Sequence, residues 1–170
     1  MPTQNVGKFF DFRARVAAPV WTVEPDNGRG VNVAVGASRR CSSGMAQVVE
    51  LGVLSLEALQ AGGSFPQLFS IELNEDRLKD AKKVQVYFDG ITSDGVILMN
   101  DYEEAGSARN VGVQLLDSEG KVLLLGHEGC VEYPAAPGSR LSFAARLVST
   151  SGPVEAGEFS SFAECVILYA

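Results

Sequence analysis

GEFSSFAECVILYA, residues 157–170, is the stretch that decides the fold of this sequence. It reads as a β-strand, and alternate side chains of a strand share a face. One face carries Ser161, Ala163, Cys165, Ile167 and Tyr169, and the other carries Phe162, Glu164, Val166, Leu168 and Ala170. Both faces are largely apolar from Cys165 onward, which favours a strand buried on two sides. Because an exposed strand edge recruits other chains, this strand needs neighbours along its edges.

Composition limits the class of protein. The 170 residues suit one domain, and their apolar content of 46% is enough to bury a core. A net charge of −7 argues against nucleic-acid binding, which needs a basic patch. No apolar run approaches the roughly 20 residues of a membrane span. Residues 1–5 lack the basic and apolar regions of a secretory signal, so a secreted protein would here be in its mature form.

The rest of the chain alternates in the same way. Near the N-terminus, Phe10, Phe12, Ala14 and Val16 share one face and charged residues the other, which predicts a half-buried antiparallel strand. Ser55 can cap a short helical turn that Gly62 and Gly63 would end. About eight short strands separated by turn signals predict an all-β, immunoglobulin-like β-sandwich. The predicted strands include the ranges 47–52, 68–74, 83–90, 96–100 and 140–148, and a β-hairpin over 110–126.

In their order, these segments resemble the subunits of chaperone–usher pili, the fimbrial pilins. Tyr169 is penultimate and Gly157 is fourteenth from the end, as in the last strand of that family. Residues 47–52 are similar to the family's V-x-L-G, and 68–74 to its F-x-I-x-L-x-N-C. Taken alone, the last strand also suits an ordinary core strand. The most specific resemblance is to the pilin motif A-x-G-V-G-I-Q-L-x-D-x-x-G-x-x-L-x-L-G, with Gly112, Gln114, Leu115, Asp117, Gly120 and Gly126 in register.

The sequence also departs from the pilin pattern. Trp21 and Glu75 stand where most pilins have a pair of cysteines. Residues 28–44 are interpreted as an insertion, either a surface hairpin or a contact specific to this subunit. Residues 1–6 are interpreted as the remnant of a trimmed N-terminal donor extension, although a subunit that does not donate is the alternative. With these two exceptions, residues 1–170 are predicted to form a single pilin domain.

The resemblance implies an incomplete immunoglobulin-like sandwich that lacks its last strand. In pilins the gap is a groove between the first and last strands, filled by a strand of a periplasmic chaperone and then, at the outer-membrane usher, by the N-terminal extension of the next subunit. The Ala170 carboxylate would be held by basic chaperone residues. The expected chaperone and donor-strand groove consists of Phe10, Phe12, Val16, Ala163, Cys165, Ile167, Tyr169 and Ala170.

The implied function is a structural subunit of a surface fimbria on a Gram-negative bacterium, in the periplasm during assembly and extracellular afterwards. Its partners would be the chaperone, the usher and neighbouring pilus subunits. A carbohydrate-binding fimbrial adhesin domain, with a host-cell receptor as partner, is the alternative, motivated by residues 28–44 and the acidic loop 101–108. Carboxylates in that loop could hold calcium, but their spacing fits no EF-hand, which favours a solvated loop.

No enzyme chemistry is predicted, and no catalytic residue, metal ligand or cofactor is nominated. His127 is the sole histidine, and its nearness to Cys130 does not orient a nucleophile pair. No phosphate-binding glycine loop or nucleophile elbow is present. Cys41 and Cys130 lie in predicted loops and are the expected pair if a disulfide forms. Cys165 is interpreted as a small apolar core residue.

Overall fold

The computed structural model describes residues 4–17, 46–102 and 105–170, which fold as two β-sheets packed face to face. This confirms the predicted all-β sandwich. The described residues also contain the helices α1 (Leu56–Gln60) and α2 (Glu75–Leu78) and a 3-10 turn at His127–Gly129. Their nine strands are β1 (Gln4–Ala17), β2 (Ala46–Ser55), β3 (Gln67–Glu72), β4 (Lys83–Gly90), β5 (Ile97–Met99), β6 (Val111–Leu116), β7 (Val131–Pro134), β8 (Arg140–Ser149) and β9 (Gly157–Tyr169).

The first sheet has the strand order β2-β1-β9-β4-β7, and the second has the order β3-β8-β6-β5. Aromatic side chains from both sheets meet between them, with ring centroids 5.1 to 6.2 Å apart. Such contacts add to the free energy of apolar burial because ring edges meet ring faces. The cluster consists of Phe10, Phe12, Phe69, Phe88 and Phe143.

Strand β9 lies at the centre of the first sheet. On one side it pairs antiparallel with β4, from Val84 opposite Tyr169 to Gly90 opposite Ala163. On the other side it pairs antiparallel with β1 from end to end, beginning with Gln4 opposite Tyr169. In this conformation the place of the expected groove beside the last strand is occupied, because the first strand itself is hydrogen-bonded to the last.

The position of β1 explains how an incomplete sandwich closes. In an immunoglobulin-like fold the sheet C-F-G ends in a strand that follows F in the chain. Here β4 and β9 correspond to C and F, and among the described residues the third place is taken by β1. Strand β1 runs antiparallel to β9 and parallel to β2, with a register shift between Arg13 and Ala14. The sandwich lacks its last strand in chain order, and its own first strand fills the gap.

The predicted hairpin over 110–126 is only half correct. Strand β6 forms, but residues 121–126 make a single bridge, between Leu116 and Val122. Beyond it, the Leu125 amide donates to the Gly95 carbonyl (2.7 Å) and the Gly126 amide to the Phe88 carbonyl (2.7 Å). The Leu123 amide still donates to the Leu115 carbonyl of β6 (2.8 Å). The chain then leaves β6 because the carbonyls of Gly95, between β4 and β5, and of Phe88, on β4, offer hydrogen bonds while Leu123 and Leu125 are buried.

Both short helices begin at side-chain caps. The Ser55 hydroxyl accepts a hydrogen bond from the Ala58 amide (3.1 Å), which confirms the predicted helical turn. Asn74 caps α2 through its side-chain oxygen, which accepts from the amides of Asp76 and Arg77. None of the helices in the described ranges has the length and apolar character that crossing a membrane would require.

Candidate functional site

The candidate site is the slot between β2 and β9 that β1 occupies, called here the β1 slot. The slot is apolar on the side that faces the second sheet. Phe10, Phe12 and Val16 enter it and are 0 to 1% exposed. Side chains two residues apart share this face, and Ala14, which is 6% exposed, enters the core with them. The apolar side chains that alternate in the sequence of β1 are therefore the ones that fill the slot.

The predicted groove residues meet in the structure, but in two different roles. Ala163, Cys165, Ile167 and Tyr169 are buried on the β9 wall of the slot. Phe10, Phe12 and Val16 belong to the strand that fills the slot. Their use as a groove for a chaperone or donor strand stays a prediction.

The second wall of the slot is β2, which the sequence reasoning missed. Val49 is 4% exposed and stands opposite Phe12, and Leu51 and Leu54 pack against the core. The V-x-L-G alternation identified β2 as a strand. It could not identify its neighbour, because a strand's side-chain pattern defines its faces and not its edges.

The end of β9 is fixed by the chain itself. A terminal oxygen of Ala170 accepts hydrogen bonds from the backbone amides of Lys82 (2.7 Å) and Lys83 (3.0 Å). The Tyr169 hydroxyl accepts from the Asn74 amide (3.0 Å), and the Arg77 guanidinium lies 6.0 Å from the Tyr169 ring. The penultimate tyrosine therefore ties β9 to the start of α2. Contact between the terminal carboxylate and basic chaperone residues remains a prediction.

The outer face of β1 contains a buried charge that the sequence did not reveal. Asp11 is fully buried and Arg13 is 9% exposed. The Ser160 hydroxyl donates to Asp11 Oδ1 (2.8 Å), and Arg13 Nε donates to Asp11 Oδ2 (3.0 Å). Alternation had placed both charges on a solvent-facing side, so a buried network there had no sequence signal.

Two ionisable groups of the slot have shifted pKa values. Partial desolvation raises the pKa of Glu50 on β2, the neighbouring Arg13 opposes this, and Asp11 adds to it. Burial raises the pKa of the Cys165 thiol to about 12; the charge of Lys8 opposes this rise, and that of Glu164 adds to it. Cys165 is fully buried, which confirms its interpretation as a core residue.

Gly157 is required where β9 begins. Its φ is +149°, and a Cβ at this position would lie 2.2 Å from the Gly106 carbonyl oxygen. The close approach allows the Glu158 amide to donate to the Gly106 carbonyl (2.8 Å) and the Ala108 amide to donate to the Glu158 carbonyl (2.8 Å). The glycine fourteen residues from the end thus joins the start of β9 to residues 106–108.

The pilin-like motif of residues 112–120 also has a physical basis. A Cβ on Gly112 would lie 2.7 Å from the Leu98 carbonyl oxygen, so only glycine fits beside β5. The Gln114 side-chain oxygen accepts two hydrogen bonds from Arg146 of β8 (2.8 and 2.6 Å). Asp117 Oδ1 accepts from the amides of Glu119 and Lys121, which closes the turn after β6.

The remaining candidate groups do not form a reactive site. The His127 ring packs edge-on against the Tyr87 ring, with centroids 5.3 Å apart. Burial and the nearby Glu132 raise the pKa of Cys130, whereas a nucleophilic thiol needs a lowered pKa. Within the described ranges, no group of three or more His, Cys, Asp or Glu side chains is arranged to hold a metal ion. The predictions for Cys41, Trp21, residues 28–44 and part of the acidic loop (103–104) lie outside the described residues.

An immunoglobulin-like sandwich that lacks its last strand in chain order, and holds an N-terminal strand in that place, defines a protein of the pilin class. Comparison with known families agrees: residues 31–170 match the model of the family described as fimbrial protein. The chain belongs to the fimbrial protein family. The family and its fold are those of structural proteins.

Individual relatives support the assignment. The type-1 fimbrial protein, C chain, of Escherichia coli is 39% identical over 83 residues, which is 46% of each chain. The minor fimbrial subunit HifD of Haemophilus influenzae is 36% identical over 55 residues, 32% of this chain and 26% of that one. The chain thus spans less than half the length of these curated relatives.

A solved structure shares the whole fold. The Burkholderia pseudomallei antigen and type I fimbria protein superposes with a TM-score of 0.69 at 20% identity, over 98% of this chain and 100% of that one. A chain from a chaperone–usher pilus superposes with a TM-score of 0.59 at 22% identity, over 73% of this chain and 82% of that one. The family match begins after β1 and includes most of residues 28–44, whose interpretation as an insertion stays a prediction.

Proposed function

We propose that this chain is a structural subunit of a surface fimbria, held together by strands exchanged between neighbouring subunits. The observation that carries the proposal is the position of β1, an N-terminal strand in the place of a missing last strand. Membership of the fimbrial protein family supports the same function. A periplasmic chaperone, an outer-membrane usher and neighbouring subunits are the proposed partners, and the fimbria would be extracellular after periplasmic assembly.

In this proposal the donor segment is β1 as a whole, residues 4–17, and not a remnant at 1–6. Two features support it: β1 lies outside the residues matched by the family model, and its pairing with β9 is continuous from Gln4 to Val16. A strand inserted between two others gains backbone hydrogen bonds on both edges, and its alternate side chains enter pockets that fix the register. The monomer would fill its own slot until the β1 of a neighbour replaces its own strand.

No enzymatic activity is part of the proposal, since a strand-exchanging structural subunit needs none. The adhesin alternative gains no support of its own. Its two motivating segments were residues 28–44 and the acidic loop, and the first of these lies outside the described residues.

A disulfide between β1 and β9 tests strand exchange. Lys8 stands directly opposite Cys165, and directly opposed residues of paired strands are close enough for a disulfide. In a background with Cys41→Ser and Cys130→Ser, the variant Lys8→Cys should form a link within the chain when it is refolded and oxidised at low concentration. At high concentration it should give ladders of chains linked through the same two cysteines, identified by peptide mass mapping.

The matched control is Lys8→Ser in the same background, which should give neither product. A link that stays within the chain at every concentration, and in the presence of assembled fibres, would overturn strand exchange as the function.

A further inference from the structure

We propose that Asp11 and Ser160 specify how β1 is accepted in the slot: they fix its register and favour the β1 of a second copy of this chain as the incoming strand. The part that concerns a second copy rests on the proposed strand exchange, whereas the part that concerns register does not. The inference starts from the one buried carboxylate on the outer face of β1 among the described residues.

The contact joins two strands on the face that the core does not use. Ser160 on β9 donates to Asp11 Oδ1 (2.8 Å), while Arg13 on the same strand as Asp11 engages Oδ2, with its Nη2 at 2.9 Å. Asp11 stands opposite Phe162, so the Ser160 hydroxyl reaches it diagonally. The Phe162 ring stacks diagonally on Phe9 (centroids 5.5 Å apart, planes at 27°).

The core face discriminates less strongly against a slip by two residues than against a slip by one. A slip by two residues keeps every core-facing residue of β1 on the core side, because the side-chain period of a strand is 2. The slip would also place one of the two phenylalanines, Phe10 or Phe12, where the other had been, while Lys8 or Ala14 takes the place that is left. Apolar burial therefore penalises such a slip less than it penalises a slip by one.

The outer face penalises one of the two slips. In that direction Asp11 would stand opposite Glu164, with Phe162 in the diagonal place of Ser160, and a phenyl ring donates no hydrogen bond. A buried carboxylate that loses a hydrogen-bond donor and faces a like charge is destabilised. In the other direction Ser160 would stand directly opposite Asp11, so it is the core face that penalises this slip, by placing Lys8 where Phe10 is buried.

The same reasoning applies to a strand that arrives from another molecule. An incoming strand with an apolar residue at the position of Asp11 would leave Ser160 buried without its acceptor. A second copy of this chain brings both Asp11 and the Arg13 that balances its charge. The slot is therefore complementary to its own kind of strand in charge as well as in shape.

A register assay within one chain tests the first half of the proposal. The variant Lys8→Cys can link to Cys165 in the observed register. In slipped registers the linking positions are those of Ala163→Cys or Ile167→Cys, each combined with Cys165→Ala. Ser160→Ala should lower the ratio of links in the observed register to links at Ile167→Cys by about tenfold or more, the usual worth of a hydrogen bond to a buried charge. The ratio to links at Ala163→Cys should change less, because Ser160 also faces Asp11 in that register.

Asp11→Ala should lower the ratio to links at Ile167→Cys to a similar extent, and the double variant should add little, because both changes remove one contact. Arg15→Ala is the control and should leave the ratio unchanged, since Arg15 and Glu158 form an exposed ion pair at 3.7 Å. Where Asp11→Ala fails to fold, the milder Ser160→Ala alone decides. An unchanged ratio in Ser160→Ala would overturn the register role.

Two co-refolded chains test the second half. The donor chain has Lys8→Cys and Cys165→Ala, and the acceptor keeps Lys8 and Cys165, so a link between them requires the donor's β1 in the acceptor's slot. Asp11→Ala in the donor should lower this link about tenfold with a Ser160 acceptor and have little effect with a Ser160→Ala acceptor.

If Asp11→Ala in the donor changed the yield of the link by the same factor with both acceptors, the proposed selection of the incoming strand would be overturned. If the unmodified pair gives no link although Ser160→Ala shifts the register within one chain, strand exchange is wrong and the register role stands.

Discussion

At single positions of β9 the surrounding structure allows only one type of residue, and Gly157 is an example. Gly157 has a left-handed backbone and no room for a Cβ, because the Gly106 carbonyl oxygen would lie 2.2 Å away. We expect Gly157→Ala to lower the free energy of unfolding by about 2 kcal/mol or more. Gly138→Ala is the control: its φ is also positive but its surroundings are open, so the cost should be about 1 kcal/mol. Equal losses in urea titrations would contradict this explanation.

Ser161 is a polar residue in the wrong environment for its hydroxyl. It is 1% exposed, stands opposite Phe12, and among the described residues its Oγ has no hydrogen-bond partner. Removing an unsatisfied buried hydroxyl relieves its desolvation cost, so Ser161→Ala should raise stability by about 1 kcal/mol. Ser160→Ala is the contrast and should lower stability, because the Ser160 hydroxyl donates a hydrogen bond to the buried Asp11 carboxylate. Thermal unfolding of the two variants measures the difference.

Cys165 predicts a chemical behaviour that depends on pH. Because burial raises the pKa of its thiol to about 12, the reactive thiolate stays scarce up to pH 9. Iodoacetamide should therefore leave Cys165 unlabelled in the folded chain at pH 9 and label it fully in guanidinium, as read by peptide mass mapping. Cys130, which is only partly buried, is the internal reference and should label first. Labelling of Cys165 at the rate of Cys130 would show that β1 does not seal the slot.

Strand β1 shows that a sequence pattern predicts which face of a strand is buried but not which strands lie beside it. Its alternation correctly predicted which residues are buried in the core, since Phe10, Phe12, Ala14 and Val16 all are. It could not predict that β9 and β2 flank β1, because pairing is set by the gap that the other strands leave. For the same reason, residues 121–126 have the pattern of a strand, but beyond Leu123 the amides of Leu125 and Gly126 form their hydrogen bonds outside β6. Local pattern predicted the elements, and long-range pairing decided the site.

The two faces of β1 should contribute unequally to stability. Phe12 is fully buried between the sheets, so Phe12→Ala should lower the free energy of unfolding by about 3–5 kcal/mol. Phe9 lies on the outer face, half-buried against Phe162, so Phe9→Ala should cost less than about 2 kcal/mol. Chemical denaturation of both variants gives the comparison. Similar costs would mean that β1 is not seated with its Phe12 face on the core.

For the whole molecule, the ends of the chain complete the fold: β9 forms the centre of the first sheet, and β1 is needed to cover its edge. Without β1, an apolar slot between β2 and β9 would be exposed and would recruit other chains. The monomer is thus closed by its own strand, and that strand can be exchanged, because β1 makes no covalent link to the slot among the described residues. Replacing that strand by an identical one from another copy changes no contact inside the slot.

This equivalence yields a prediction for the free strand. A synthetic peptide of residues 4–17, present in excess while the full chain refolds, should compete with the chain's own β1 and be retained at one copy per chain, as counted by native mass spectrometry. The same peptide with Phe12→Asp is the control and should not be retained, since it would bury a charge where Phe12 is fully buried. If both peptides were retained equally, binding would not depend on the slot. If neither were retained even in large excess, the chain's own strand could not be displaced, and a fibre built by exchanging β1 would be ruled out.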